Sequence, residues 1–504
     1  MNYTIPTVDW SLVLPFALVA LTGIVALIIE TAHPKRDNGL IIGVSLTGLA
    51  ATFVLLLTQL VLPPARTFGN MVLRDQFSVL LQLICVAATA VCFMFSDGYL
   101  REKKIAFGEF YPLTLWALSG AMVMVSTDNL LMLFVGLEIL SIALYCLAGM
   151  SRSEARSEES ALKYFLLGAF ASAFLLYGIA FLFGASGSMS LPDIQKAVTG
   201  LTRDTLPMPV FGVMLVLVGL GFKASLVPFH QWTPDVYQGA PTNVTAFMAA
   251  VSKVAAFGAL ARVLVAAAPL HQYWFEALYW IAIATMCIGN LVALVQKDVK
   301  RALGYSSIAH AGYLLVALLA YTRDPDKVSL GTTVFYLIGY AAMTVGAFAV
   351  VSLAAKGDRD GSRYQDLHGL YRRAPFATVM LVLFLSSLIG IPPTVGFFGK
   401  QLIFLDALRT GLVPLAIVLA VNSAVSAYYY LQIMVAAFVS EEGAARPVSR
   451  KPGAGMTIGV CVCAAGVIFA SLLGGYVQET TRTAALQAKP VPGRVQNQME
   501  VINR

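Results

Sequence analysis

Charge is scarce in this sequence. Only 12% of its 504 residues are Asp, Glu, Lys or Arg, against 58% hydrophobic, where a soluble domain carries about a quarter charged. That shortage excludes a soluble globular fold. Cysteine is scarce too. Cys85, Cys92, Cys146, Cys287, Cys461 and Cys463 all lie inside apolar runs, with no C-x-x-C pair, which excludes zinc and iron–sulfur ligand spacing. No Gly-rich phosphate loop occurs. The longest stretches outside the apolar runs are near 187–207, 356–373 and the tail after 477, too short to fold into a nucleotide- or cofactor-binding domain. Any flavin, nicotinamide or iron–sulfur chemistry must therefore belong to a partner. The opening "MNYTIPTVDW" lacks the basic stretch of a cleaved signal. The net charge of +7 is scattered over short loops, which membrane topology explains without nucleic acid.

What is present is apolar sequence in runs of about twenty residues, each able to cross roughly 30 Å of hydrocarbon. Fourteen spans are predicted, near 11–30, 39–62, 77–96, 109–126, 128–149, 161–186, 209–230, 242–268, 272–296, 302–321, 328–355, 375–410, 412–439 and 455–476. The fold class is an all-α polytopic membrane protein. Spans seven and twelve are interrupted, by Pro228 and by the tandem Pro392–Pro393. If the N-terminus is outside, the loops on the inner side hold eighteen Lys and Arg and the opposite loops seven. The positive-inside rule then places both termini outside.

Inside the apolar runs lie Glu138, Lys163, Lys223, Lys253, Arg262, His310 and Lys400. A charge at the centre of a membrane helix costs roughly 2.5–3.5 kcal/mol on insertion scales. Such groups must pair, face a wet interior or give up their charge. Burial lowers the pKa of an amine by up to about 3–5 units, and a nearby carboxylate raises it again. A lysine so placed can therefore hold or release a proton, which arginine cannot. Arg262 is accordingly read as structural. Lys163 lies near the end of its span, where snorkelling explains it equally well. His310, taken alone, reads as a packed neutral histidine.

Lys223 and Lys400 each accompany an interrupted span, and these spans are five apart. The same step leads from Glu138 to His310. We therefore expect two five-helix repeats, spans 4–8 and 9–13, inverted with respect to the membrane because five is odd. The corresponding division is an N-terminal three-helix segment (1–108), a first repeat (109–268), a second (272–439) and a C-terminal helix and tail (440–504).

Three of these stretches carry a resemblance. "FKASLVPFHQWTPDVYQGAPT" (222–242), "QKDVKRALGYSSIAHAGYLL" (296–315) and "GIPPTVGFFGK" (390–400) resemble the antiporter-like membrane subunits of complex I, the proton-pumping NADH-quinone oxidoreductase. The first stretch, and the lysine that ends the third, look specifically like the subunit N family. The resemblance implies a proton-translocating membrane-arm subunit with no redox chemistry of its own. FMN, iron–sulfur clusters, NADH and quinone would be handled by partner subunits, in a bacterial cytoplasmic membrane. It further implies that Glu138 and Lys223 form the ion pair of a first half-channel accompanied by Lys163. Lys253 and His310 would relay protons to Lys400, whose half-channel opens outward. The competing reading is a subunit of a multi-chain sodium/proton antiporter, which "WTPDVYQGAP" disfavours.

Overall fold

Apolar helices must satisfy every backbone hydrogen bond internally if they are to meet lipid, and the described residues are helical for most of their length. The computed structural model describes residues 8–32, 38–199, 205–356, 360–439 and 452–472. Lys35, Arg36, Arg203, Arg359, Arg446, Arg450 and Lys451, which enter the loop-charge comparison, lie outside them, as does the tail after 477.

The chain opens with α1 (Trp10–Ala32) and α2 (Gly39–Gln59), then a hairpin of β1 (Ala65–Thr67) and β2 (Val72–Arg74), then α3 (Gln76–Glu102). Next come α4 (Phe110–Val125), α5 (Leu130–Ala148), α6 (Ala155–Ser186), α7 (Leu191–Thr199), α8 (Pro207–Ala224) and α9 (Trp232–Gly239). Then α10 (Thr242–Phe247) runs through a π turn, Met248–Ser252, into α11 (Lys253–Ala266). The remainder is α12 (His271–Ala293), α13 (Val299–Arg323), α14 (Gly331–Val351), α15 (Leu370–Arg373), α16 (Pro375–Ile389), α17 (Val395–Arg409), α18 (Val413–Phe438) and α19 (Ala454–Leu472). Eleven described helices are long and apolar enough to cross a membrane, and three shorter apolar ones, 110–125, 375–389 and 454–470, fill the remaining predicted places. This is a multi-pass membrane protein.

The sequence reading missed two kinds of detail. The β-hairpin and α7 lie where only loops were expected. The break in span seven also comes earlier than Pro228. Ser225 takes the left-handed conformation at φ +63° and ends α8, so Lys223 stands in the last turn of that helix.

The same pairs of spans are neighbours in the two halves. α4 packs on α5 as α12 does on α13, and α6 packs on α8 and α9 as α14 does on α16 and α17. α11 returns to α4 as α18 returns to α12. The segments α10–α11, α13 and α14 are almost wholly enclosed, whereas α1, α2 and α6 turn most of their surface outward. The outward surface is apolar, as a lipid-facing or subunit-facing surface must be: Phe170 is 65% exposed and Val54 60%.

Two ion-pair groups tie the core together. Arg262 on α11 donates to both carboxylate oxygens of Asp75, at 2.8 and 2.9 Å, which fits a structural cation. At the other surface Lys300 pairs with Asp360 and Lys103 pairs with Glu154. Tyr99 donates to Asp360 and accepts from the Thr242 N–H at 2.9 Å. Burial works against the negative charge of Asp360, but Lys300 and Lys103 hold its carboxyl below the usual carboxylate range. Lys103 and Lys300 belong to the eighteen inner-loop Lys and Arg of the charge comparison. Both are in fact buried.

Candidate functional site

The twelfth span shows how backbone geometry places a lysine. α16 ends at Ile389 with Gly390 at φ +93°, a conformation that suits glycine. A Cβ on Gly396 would stand 1.8 Å from the Ser387 carbonyl oxygen, so the re-entering chain needs glycine there as well. Lys400, on α17 beyond the break, reaches back to the open end of α16. Its Nζ donates to the Leu388 and Ile389 carbonyls, both at 2.8 Å, and to Ser423 Oγ at 2.9 Å. A helix C-terminus carries unpaired carbonyls and the negative end of the dipole, and this ammonium group caps them. The Tyr313 ring lies beneath it, 5.2 Å from Nζ to centroid.

The first half solves the same problem differently. Lys223 is 3% exposed, and its Nζ donates to Ser141 Oγ at 2.8 Å and Tyr164 OH at 3.1 Å. It does not pair directly with Glu138. Ser172 donates to Glu138 Oε1 instead. Ser141, Ser172 and Lys223 share a void of about 10 Å³, at the lower limit of what holds one water. The ion pair expected from the resemblance is thus a pair separated by two serines. Tyr164 also stacks on Trp232, with centroids 4.5 Å apart at 11°.

Lys253 follows the π turn directly and donates to the Ser307 carbonyl at 2.6 Å. The Tyr340 ring lies 5.8 Å from its Nζ, and Tyr340 OH donates to Ser307 Oγ at 2.9 Å. One turn along α13, His310 is bound on both ring nitrogens. Nδ1 lies 2.6 Å from Tyr336 OH and Nε2 lies 3.1 Å from Tyr430 OH. From there the polar contacts run on. The Tyr430 ring lies against Tyr429, tilted with centroids 4.4 Å apart, Tyr429 OH donates to Asn290 Oδ1 at 3.0 Å, and Asn290 Nδ2 donates to Tyr313 OH at 3.1 Å. Tyr313 is the ring under Lys400. Lys253, His310 and Lys400 thus lie along an enclosed series of hydroxyl, amide and imidazole groups, in which Tyr340 to His310, Tyr430 to Tyr429 and Tyr313 to Lys400 are ring contacts rather than hydrogen bonds.

Lys163 stands apart. It is about half exposed and pairs with Glu159 at 2.6 Å and Asp235 at 2.8 Å, and Asp235 is shared with Arg301. This is the surface pairing that a span-end lysine makes. No hydrogen bond between described side chains joins Lys223 to Lys253, so passage between them requires side-chain movement or an inserted water. Ser252, beside Lys253, has a buried Oγ with no protein partner.

The sequence reading overlooked the uncharged members: Ser141, Tyr164, Asn290, Ser307, Tyr313, Tyr336, Tyr340, Tyr429 and Tyr430. Helical spacing was the available signal. Tyr336 and Tyr340 on α14, and Ser306, His310 and Tyr313 on α13, fall three or four residues apart within apolar helices. Among the described residues no group of three or more His, Cys, Asp or Glu is placed to hold a metal.

Residues 127–426 match the family model described as NADH:quinone oxidoreductase/Mrp antiporter, transmembrane. NADH-quinone oxidoreductase subunit N of Trichlorobacter lovleyi is 37% identical over 430 residues, 85% of this chain and 87% of that protein. The chain belongs to the subunit N branch of this family. Among solved structures, a chain of respiratory complex I from Thermus thermophilus with bound aureothin superposes with TM-score 0.77 at 36% identity, covering 92% of this chain and 98% of that one. A chain of the Mrp complex from a Dietzia species reaches the same TM-score at 21% identity over 96% of each. That second likeness concerns the fold alone. The subunit N family and the antiporter complexes thus share one helical scaffold, and this chain's sequence lies with the former.

Proposed function

We propose that this chain is a proton-translocating membrane-arm subunit of a NADH-quinone oxidoreductase, moving protons through buried Lys, Glu and His groups while quinone is reduced in other subunits. The observation that carries the proposal is the enclosed run of contacts from Lys253 through His310 to Lys400, in a chain of the subunit N family. Every side chain in that run can donate a proton, accept one, or reorient. None requires a bound substrate.

In this reading Glu138 and Lys223 are the element that responds to quinone chemistry elsewhere. A hydroxyl on each side of the small void allows the carboxylate and the amine to influence one another without locking together. One pKa unit of such coupling is about 1.4 kcal/mol, so a small rearrangement of Ser141 or Ser172 is enough to favour or disfavour proton release. Lys163 serves at the rim of this half, positioned through Asp235. Lys253 and His310 relay protons across the middle, and Lys400 passes them to the half-channel that opens outward. The two five-helix repeats, 109–268 and 272–439, are inverted copies flanked by 1–108 and 440–504. Both termini face outward from a bacterial cytoplasmic membrane. FMN, the iron–sulfur clusters, NADH and quinone belong to the partner subunits.

The test is an affinity purification of the tagged chain from its native membrane in mild detergent, with a visible spectrum and NADH:quinone turnover of what accompanies it. Flavin and iron–sulfur absorbance with turnover is the expected result. Colourless partners that exchange sodium for protons without oxidising NADH would assign the chain to an antiporter instead.

A further inference from the structure

At the surface where the loop charges place the inside, a cleft of about 1160 Å³ opens between the end of α12, the start of α13, the turn around Tyr364 and the end of α18. Arg156, Lys297, Arg301 and Arg363 line its polar floor against one carboxylate, Asp298. That carboxylate is already engaged, accepting from Ser362 Oγ at 2.5 Å and from the Arg301 N–H at 3.0 Å. Arg301 in turn is held by Asp235 and Gln238. The other three cations are exposed. The facing wall has the opposite character. Tyr428, Leu431 and Val435 lie three or four residues apart on one face of α18, and they are 58%, 49% and 59% exposed. The same face continues along the helix through Val421 and Ile417, both more than half exposed.

We propose that this cleft binds one anionic phospholipid, with its phosphate among Arg156, Lys297 and Arg363 and its acyl chains along α18. Three features favour this occupant. The cationic floor lies at the ends of spans, where headgroups lie, and basic pockets between helices on the inner side recognise acidic headgroups. The apolar wall starts at that level and runs toward the hydrocarbon, so it gives nothing to a free anion but a long contact to an acyl chain. A zwitterionic headgroup would bring its own cation onto a floor with one committed carboxylate.

The experiment uses the assembled membrane complex purified through this chain and placed in phosphatidylcholine nanodiscs. These carry a small fraction of either a phosphatidylglycerol or a phosphatidylcholine probe with a diazirine in the acyl chain. After irradiation, labelled peptides are mapped by mass spectrometry. The phosphatidylglycerol probe is expected to label 428–435 well above the phosphatidylcholine probe. Labelling should fall roughly tenfold in an R156Q/K297Q/R363Q variant, because each cation near a membrane surface contributes to holding an acidic lipid. Should that variant fail to assemble, Val435→Trp, which fills the apolar wall and leaves the charges intact, should reduce labelling in its place. Equal labelling by both probes, or labelling unaffected by the variants, would mean ordinary annular lipid and overturn the proposal. Absence of label because another subunit covers α18 would overturn it too. Displacement of the probe by inorganic phosphate would make the floor a free-anion site instead.

Discussion

Lys223 and Lys400 both accompany a broken helix, but they stand on opposite sides of the break. Lys223 precedes it, in the last turn of α8, and is held by the hydroxyls of Ser141 and Tyr164. Lys400 follows it and is held by two backbone carbonyls and Ser423. A hydroxyl both donates and accepts, so Ser141 and Tyr164 can accommodate an amine as well as an ammonium group. A carbonyl only accepts. The Lys400 site therefore suits a charged lysine held by fixed dipoles, and the Lys223 site suits a lysine whose charge changes with its neighbours. In the proposed reading the first half switches, and the second receives and holds.

The sharpest way to break this comparison is to remove the held charge. In Lys400→Ala, proton pumping per NADH oxidised should fall roughly 100-fold, the scale of losing a positioned acid–base group. Lys400→Arg should fail nearly as badly, since a guanidinium keeps the carbonyl contacts but does not release its proton. Proton uptake into inverted membrane vesicles, set against NADH oxidation in the same vesicles, measures both. Full pumping by the arginine variant would mean that Lys400 only caps α16.

The next largest effect should come from the route between Lys253 and Lys400. Tyr336→Phe preserves the ring and removes the hydroxyl that meets His310 Nδ1. Combined with His310→Gln, it should slow pumping about tenfold, equivalent to roughly 1.4 kcal/mol of barrier. If the double variant pumps normally, the tyrosine-lined route is packing and protons travel elsewhere.

How far these residues could be read beforehand depends on what burial costs. Charged groups are expensive in hydrocarbon, so Glu138, Lys223, Lys253 and Lys400 stand out from their apolar surroundings. Tyrosine, serine and asparagine cost little when hydrogen-bonded, so Tyr336, Tyr430 and Asn290 pass as ordinary members of apolar helices. The span positions were legible because hydrocarbon thickness sets helix length. The stop at Ser225 was not, because a left-handed serine carries no strong sequence signal, whereas the tandem prolines of the twelfth span do. The π turn before Lys253 consists of Met, Ala, Val and Ser and reads like any helix. Lys103 and Lys300 looked like solvated loop charges because Asp360, which buries them, is distant in sequence.

A matched pair of serine variants sharpens the contrast between a hydroxyl cage and a carbonyl cage. Ser141→Ala takes one of the two hydrogen-bond partners of Lys223, and a lost hydrogen bond of about 1 kcal/mol corresponds to a severalfold slowing. Ser423→Ala leaves Lys400 both carbonyls and should change pumping by less than about twofold. The same vesicle assay decides the matter. Equal losses in the two variants would contradict the assignment of a switching site and a holding site.

Among the lysines, the smallest effect is expected at Lys163. Its partners Glu159 and Asp235 lie near the surface, and exposed ion pairs contribute about 0–1 kcal/mol. Asp235 also keeps Arg301 when Lys163 is removed, so α9 stays anchored. Lys163→Ala should therefore lower pumping by no more than about fourfold, while Asp235→Asn, which releases both cations, should do more. The ordering matters more than either value. If Lys163→Ala stops pumping as completely as Lys400→Ala, then the amine at the rim exchanges protons itself, and joins Lys223 and Lys253 in handling them.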